Sequence, residues 1–164
     1  MREFIFMSFT MSWLTGYDLE ALIKKHGDEM TKKAFMGVYA MDKLPQRILQ
    51  LPALFIVNTH SMNLPGQHWI AVYIDTQRHA EVFDSLATPL SEYLLRWLRS
   101  FSTSFKRSVL TLQNPVSASC GAFVLYYILQ RVHVKNMEVI TSSFSPNVIH
   151  NDRVMLDYVK LLRK

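Results

Sequence analysis

Apolar residues recur along this chain at two spacings, and the alternation between them predicts its elements. Leu19, Leu22 and Ile23 share one side of a helix over residues 17–26, with Gly27 as its stop. Residues 54–58 (LFIVN) form a short, continuous apolar run that predicts a buried strand. Residues 59–67, with Pro65 and Gly66, read as a loop leading into a second strand-like run, HWIAVYI, over residues 68–74. A third run, AEVFD at residues 80–84, follows a polar connection, so the two make a hairpin. Further on, residues 91–101 predict a helix with Leu94, Leu95 and Leu98 inward, residues 109–112 a strand, and residues 120–132 a central helix. Asn151 reads as the N-cap of a last helix, whose Met155, Tyr158, Val159 and Leu162 recur at helical spacing. The sum is an α+β fold: a mixed β-sheet flanked by helices, with a cleft between the helix that starts at Cys120 and the strand that bears His68.

The hairpin carries the first chemical expectation. If residues 75–79 form its loop, Ile74 faces Ala80, Val72 faces Val82 and Asp84 faces Ile70. His68 and Asp84 are then diagonal neighbours on one face, and a diagonal Cα separation of about 7–8 Å suits an imidazole bonded to a carboxylate. Asp75 and Glu81 point the other way. The face shared by Ile70, Val72, Ile74, Ala80 and Val82 is expected to receive the Cys120 helix. A slip of one residue would reverse all of this.

Cys120 is the only cysteine, and it stands where the turn-rich stretch QNPVSAS gives way to the apolar run GAFVLYYIL. That puts a thiol at a helix N-terminus, where unpaired amides and the positive end of the dipole favour the thiolate. Free cysteine is often only a small core residue, so the case depends on partners. With His68 as base and Asp84 to orient its imidazole, Cys120 could attack a carbonyl carbon. Gln113 could aim its side-chain amide at the developing oxyanion, with the Cys120 backbone N–H as second donor.

Composition narrows the classes. The 164 residues are 49% hydrophobic, enough for one domain over residues 1–164 with an ample core. A single cysteine allows no internal disulfide and points to a reducing compartment. No clustered ligand pattern makes a case for metal among the six histidines. No arginine follows Cys120 closely enough to clamp a phosphate, which disfavours a cysteine phosphatase. Residues 1–16 read as an N-terminal extension packing as an added strand or turn. Arg2 precedes an apolar stretch there, but Glu3, Ser8, Thr10 and Ser12 interrupt it and no cleavage site follows. No run approaches the roughly 20 apolar residues of a membrane span, so no membrane role is expected. The formal net charge of +5 is compatible with a polyanionic partner or with a solvated basic surface.

The segments YDLEALIKKHG, AFMGVYAMDKLP, FIVNTHSMNLPGQHWIAVYI, EVFDS, LQNPVSASCGAFVLYY and PNVIHNDRVMLDYV together resemble, in order, the adenovirus-type cysteine proteases (adenain), within the larger group that includes SUMO-deconjugating proteases. His68 with Trp69 matches the family's histidine–tryptophan pair, Gln113 its oxyanion glutamine, and Cys120 with Gly121 its nucleophile and following glycine. Asp84 departs from the adenovirus enzymes, which carry glutamate there, and is more similar to the SUMO proteases. The resemblance is greatest to proteases of adenovirus-related viruses and Polinton-type DNA transposons. It implies a thiol endopeptidase with a Cys–His–Asp triad that matures viral capsid or core precursors, in the virion or the host nucleus. It further implies substrates with glycine near the scissile bond, held in a narrow channel walled by Trp69, with Trp69 and Gly121 as substrate-binding residues. DNA is implied as a cofactor, and since a second cysteine is lacking, any activating peptide would bind noncovalently. A monomer is expected. Two other readings stay open: an isopeptidase acting on ubiquitin-like conjugates, and an inactive protease fold that binds DNA.

Overall fold

The computed structural model describes residues 14–60, 68–134 and 136–164. The expected strand or turn in the first residues, and most of the loop expected over residues 59–67, lie outside them.

Thr15 opens the first helix, α1 (Gly16–His26), through a capping box: its hydroxyl accepts from Asp18 N–H, and the Asp18 carboxylate accepts from Thr15 N–H. Leu19, Leu22 and Ile23 are buried, as their spacing requires. A short helix, α2 (Glu29–Ala34), capped by Asp28, leads into strand β1 (Phe35–Ala40). The sequence reading had no counterpart for these two. A 3₁₀ turn (Met41–Lys43) then precedes β2 (Ala53–Asn58). Beyond the loop come β3 (Trp69–Ile74), β4 (His79–Phe83), helix α3 (Glu92–Phe101) and β5 (Ser104–Arg107). The chain ends with α4 (Cys120–Arg131), α5 (Met137–Thr141) and α6 (Val148–Leu162).

The five strands form one mixed sheet in the order β1-β2-β3-β4-β5. The outer pairs β1/β2 and β4/β5 are parallel, and the inner pairs β2/β3 and β3/β4 antiparallel. Helices on both faces make two apolar cores. On one face Leu54, Ile56, Ala71, Tyr73 and Phe83 meet α1, α4, α5 and α6. Phe55, Val57, Ile70, Val72, Ile74 and Val82 face Leu94, Trp97 and Leu98 of α3 on the other.

The hairpin register is the expected one, with Ile74 opposite Ala80 and Val72 opposite Val82. The expected seat of the Cys120 helix is corrected. That helix covers the face of Ala71, Tyr73 and Phe83, where Tyr127 stacks on Phe83 at 4.6 Å, and α3 takes the Ile70 face. The reason is that β3 is buried on both faces, so either face could receive a helix. The strand expected over residues 109–112 is also displaced: the pairing segment is Ser104–Arg107, while Val109 and Leu110 are exposed. In α3, Trp97 rather than Leu95 is buried alongside Leu94 and Leu98. Finally, Asn147 caps α6, accepting from His150 N–H, and Asn151 is buried inside the helix.

Candidate active site

His68 and Asp84 lie one residue outside the paired ladder, His68 just before β3 and Asp84 just after β4. Both side chains line a cavity on the α3 side with Ile70 and Leu94, and at this end of the sheet His68 also comes within reach of Cys120 although α4 occupies the opposite face. His68 Nε2 donates to Asp84 Oδ1 at 2.6 Å. Cys120, at the start of α4, lies close enough to the imidazole to influence its charge. The three residues converge at the end of the sheet, with His68 at 11% side-chain exposure and Cys120 at 5%.

Burial is the largest influence on His68 and opposes its charge. The hydrogen bonds and negative charges of Asp84 and Cys120 outweigh it, raising the imidazole to about 9. Burial likewise works against the Asp84 carboxylate, but the hydrogen bond and charge of His68, aided by Thr88 and Leu86, hold it below its ordinary value. Each group favours the other's charged form.

Asp84 is fixed from several directions. Its Oδ1 also accepts from Leu86 N–H at 2.8 Å, closing an Asx-turn, and its Oδ2 accepts from the Thr88 N–H and hydroxyl. The hydroxyl of Ser108 accepts from Asp84 N–H and donates to Asp84 C=O, both at 2.8 Å. Thr88 and Ser108 were not singled out from sequence. The run Asp84-Ser-Leu-Ala-Thr88 after a strand carried a turn signal for Thr88; Ser108 reaches Asp84 from the far end of β5 and left no local trace.

The cysteine begins α4 without a side-chain cap, because the Ser119 hydroxyl faces Asp152 rather than the first helical amides. At Gly121 an added Cβ would stand 2.9 Å from Leu14 Cβ and 3.5 Å from Trp69 Cδ1, so glycine is needed for close approach. Trp69 donates its indole N–H to Leu14 C=O at 3.0 Å, which seats the ring beside Gly121. Gln113 is buried at 1% exposure. Its Oε1 accepts from the Ser85 hydroxyl at 2.7 Å, and its Nε2 donates to Ser117 C=O at 3.0 Å. A carbonyl can only accept, so this contact fixes which end of the amide bears the NH₂. One of the two Nε2 protons remains for another acceptor. A cavity of about 430 Å³ borders the dyad on the α3 side, with Met41, His60, Ile70, Thr88 and Leu94 among its walls.

A cysteine at a helix N-terminus beside a His–Asp pair, on a mixed sheet between helices, is the layout of a cysteine protease. The sequence profile of the Ulp1 protease family, C-terminal catalytic domain, matches residues 53–157. The chain belongs to this family, whose members are cysteine proteases acting on protein substrates without a metal. No curated protein matches it in sequence. Among solved structures it is similar to the ASFV pS273R protease, at 17% identity and a TM-score of 0.57, over 86% of this chain and 64% of that one. It is also similar to the SUMO protease Ulp1 with its catalytic cysteine oxidised to a sulfonic acid, at 14% identity and a TM-score of 0.50, over 90% and 78% of the two chains. A third similarity is to ChlaDub1 from Chlamydia trachomatis, at 20% identity, 62% and 48% coverage and a TM-score of 0.43. The chain thus spans less than two thirds of the length of the ASFV pS273R protease. Among the described residues no group of three or more His, Cys, Asp or Glu is placed to hold a metal, and no helix is long and apolar enough to cross a membrane.

Proposed function

We propose that the protein is a cysteine endopeptidase in which Cys120 is the nucleophile, His68 the general base and acid, Asp84 the group that orients His68, and Gln113 an oxyanion donor. The observation that carries this reading is the buried imidazole bonded to Asp84 at 2.6 Å, with Cys120 at the start of α4 near enough to help hold its charge. With the thiol proton already held on His68, Sγ forms a bond to the substrate carbonyl carbon, and the oxyanion is received by Gln113 Nε2–H and the Cys120 N–H. Collapse breaks the C–N bond, His68 gives its proton to the departing amine, and a thioester remains. Water, deprotonated by His68, then releases the acid and restores the thiol.

The substrates we propose are precursor polypeptides of a virus or virus-like element, cut during particle maturation after glycine-containing sequences, in the particle or the host nucleus. Support comes from the sequence resemblance and from the fold shared with a viral protease. Trp69 and Gly121 would wall the channel that admits glycine but not larger residues. A second reading, deconjugation of ubiquitin-like proteins, is favoured by Asp84 and by the family itself. The test is incubation of the wild type and Cys120→Ala with capsid precursors, with ubiquitin-like conjugates and with peptides ending in Leu-X-Gly-Gly. Cleavage of precursors alone supports the first reading, and cleavage of conjugates alone the second. No cleavage of any of them, or cleavage that survives Cys120→Ala, overturns the assignment. Equal turnover after the glycines are replaced by leucine removes the narrow channel.

A further inference from the structure

The loop that joins Gln113 to Cys120 is anchored from behind by two buried polar side chains of α6, Asn151 at 2% exposure and Asp152 at 8%. Asn151 Nδ2 donates to Leu112 C=O at 3.0 Å and to Ser145 C=O at 2.8 Å, while its Oδ1 accepts from Ser145 N–H at 2.9 Å. A single oxygen of Asp152, Oδ1, accepts from the Ser119 hydroxyl at 2.8 Å and, more distantly, from Asn114 N–H at 3.4 Å. Leu112 and Asn114 flank Gln113 on either side, and Ser119 immediately precedes Cys120. The carboxylate therefore clips together the two ends of the loop whose span sets the separation between oxyanion donor and nucleophile. The Ser117 hydroxyl, 2.9 Å from Ser119 Oγ, extends the clip to the residue whose carbonyl holds Gln113 Nε2.

We infer that Asp152, with Asn151 beside it, is a positioning residue: it touches no reacting atom but holds Gln113 at the distance from Cys120 that the transition state requires. The inference rests on the reading of Gln113 as an oxyanion donor. An oxyanion hole works because its donors are already placed when charge develops, and a displacement of about 1 Å can cost on the order of 10²-fold in rate. Ser119 spends its hydroxyl on this contact instead of capping α4, which leaves the first amides of that helix uncapped by a side chain at the position where the oxyanion forms.

The test measures kcat and KM on a fluorogenic amide of Leu-Arg-Gly-Gly for the wild type, Gln113→Ala, Asp152→Ala, Asp152→Asn and the double variant Gln113→Ala/Asp152→Ala. Gln113→Ala should lower kcat by about 10²–10³-fold, and Asp152→Ala by up to about 10²-fold with KM little changed. Asp152→Asn keeps an acceptor oxygen in place and should restore most of the loss. The double variant should be no worse than Gln113→Ala alone. Alkylation of Cys120 by iodoacetamide, which develops no oxyanion, should proceed at the wild-type rate in Asp152→Ala, and this also shows that the site is folded. Full additivity in the double variant, or an Asp152→Ala protein with wild-type kcat beside a crippled Gln113→Ala, overturns the inference and leaves the protease reading standing. If Gln113→Ala is fully active, the oxyanion assignment falls and the inference with it. If the wild type leaves the peptide uncut, the NMR signals of the Gln113 side-chain amide decide: they should move toward free-amide values in Asp152→Ala and not in Asp152→Asn, and signals unmoved in both overturn it.

Discussion

At the residue scale the energetics centre on His68. Its imidazole is raised from an ordinary 6.5 to about 9, against the effect of burial, by Asp84 and Cys120. A group whose folded value is raised contributes stability that is fully present below its unfolded value and is lost as pH rises through its folded value. His68 should therefore contribute about 3 kcal/mol below pH 6.5, fading as pH passes about 9. Urea midpoints of the wild type and His68→Gln should be furthest apart near pH 6 and converge toward pH 10; a gap that is flat with pH excludes the charged pair. Asp84 has the opposite sign. Its lowered carboxyl contributes above its ordinary value of 3.8 and loses that contribution as pH falls through the depressed one. A second measurement separates the partners of His68: removing the thiol in Cys120→Ala should lower the imidazole titration seen by NMR, because Cys120 supplies both a hydrogen bond and a charge. An unchanged titration would mean that Asp84 alone holds the proton.

At the element scale, the β4 residue that faces away from Asp84 proves to be structural. Glu81, 5% exposed, accepts from Arg131 Nε at 2.5 Å, from the Tyr127 hydroxyl at 2.9 Å and from Met137 N–H at 3.3 Å, with Lys106 at 3.3 Å. Arg131 in turn lies over the Tyr73 ring at 4.0 Å, so the cluster ties α4 and α5 to the sheet. Glu81→Ala would strand a buried guanidinium, at about 3–5 kcal/mol, and should lower Tm by on the order of 10 °C, with Glu81→Gln milder. A calorimetric shift of only a degree or two would show that Lys106 and solvent relieve Arg131. Loss of activity in this variant must accordingly be compared with its folded fraction. The elements also show where sequence is informative. Apolar spacing, with Gly27 as the stop of the first, located α1, α3 and α4 because those signals are local. The hairpin register followed from one loop length. Which face α4 covers was not legible, since a strand apolar on both sides carries no facing signal. β5 was missed because all four of its residues are exposed, so its pairing leaves no apolar trace. Asn151 was misread because asparagine satisfies a helix N-terminus and a buried carbonyl equally well.

At the scale of the whole molecule the remaining feature is charge. The ends of three helices carry basic residues: Lys24 and Lys25 on α1, Lys32 and Lys33 on α2, and Lys160, just ahead of Arg163 and Lys164, on α6. Lys24 and Lys32 line one shallow cavity of about 140 Å³, and His26 Nε2 at 2.6 Å from Leu162 O brings the ends of α1 and α6 together. Part of this charge is already answered, Lys24 by Glu20 at 2.6 Å and Lys160 by Asp157 at 2.8 Å. Exposed pairs of this kind contribute little and give way readily to a phosphate. We expect random-sequence duplex DNA to bind here through charge alone, with log K falling against log salt by about 0.9 per phosphate engaged. Lys25→Glu, Lys32→Glu and Lys33→Glu together should weaken binding for every sequence alike and flatten that slope by two to three phosphates' worth, about 1.8–2.7. If DNA is a cofactor, the same triple variant should lose the stimulation of peptide cleavage by DNA while keeping its basal rate, because none of the three lysines belongs to the candidate active site. No binding at low salt would leave the net charge of +5 as a solvated surface, and binding without stimulation would make DNA a tether to the site of action rather than an activator.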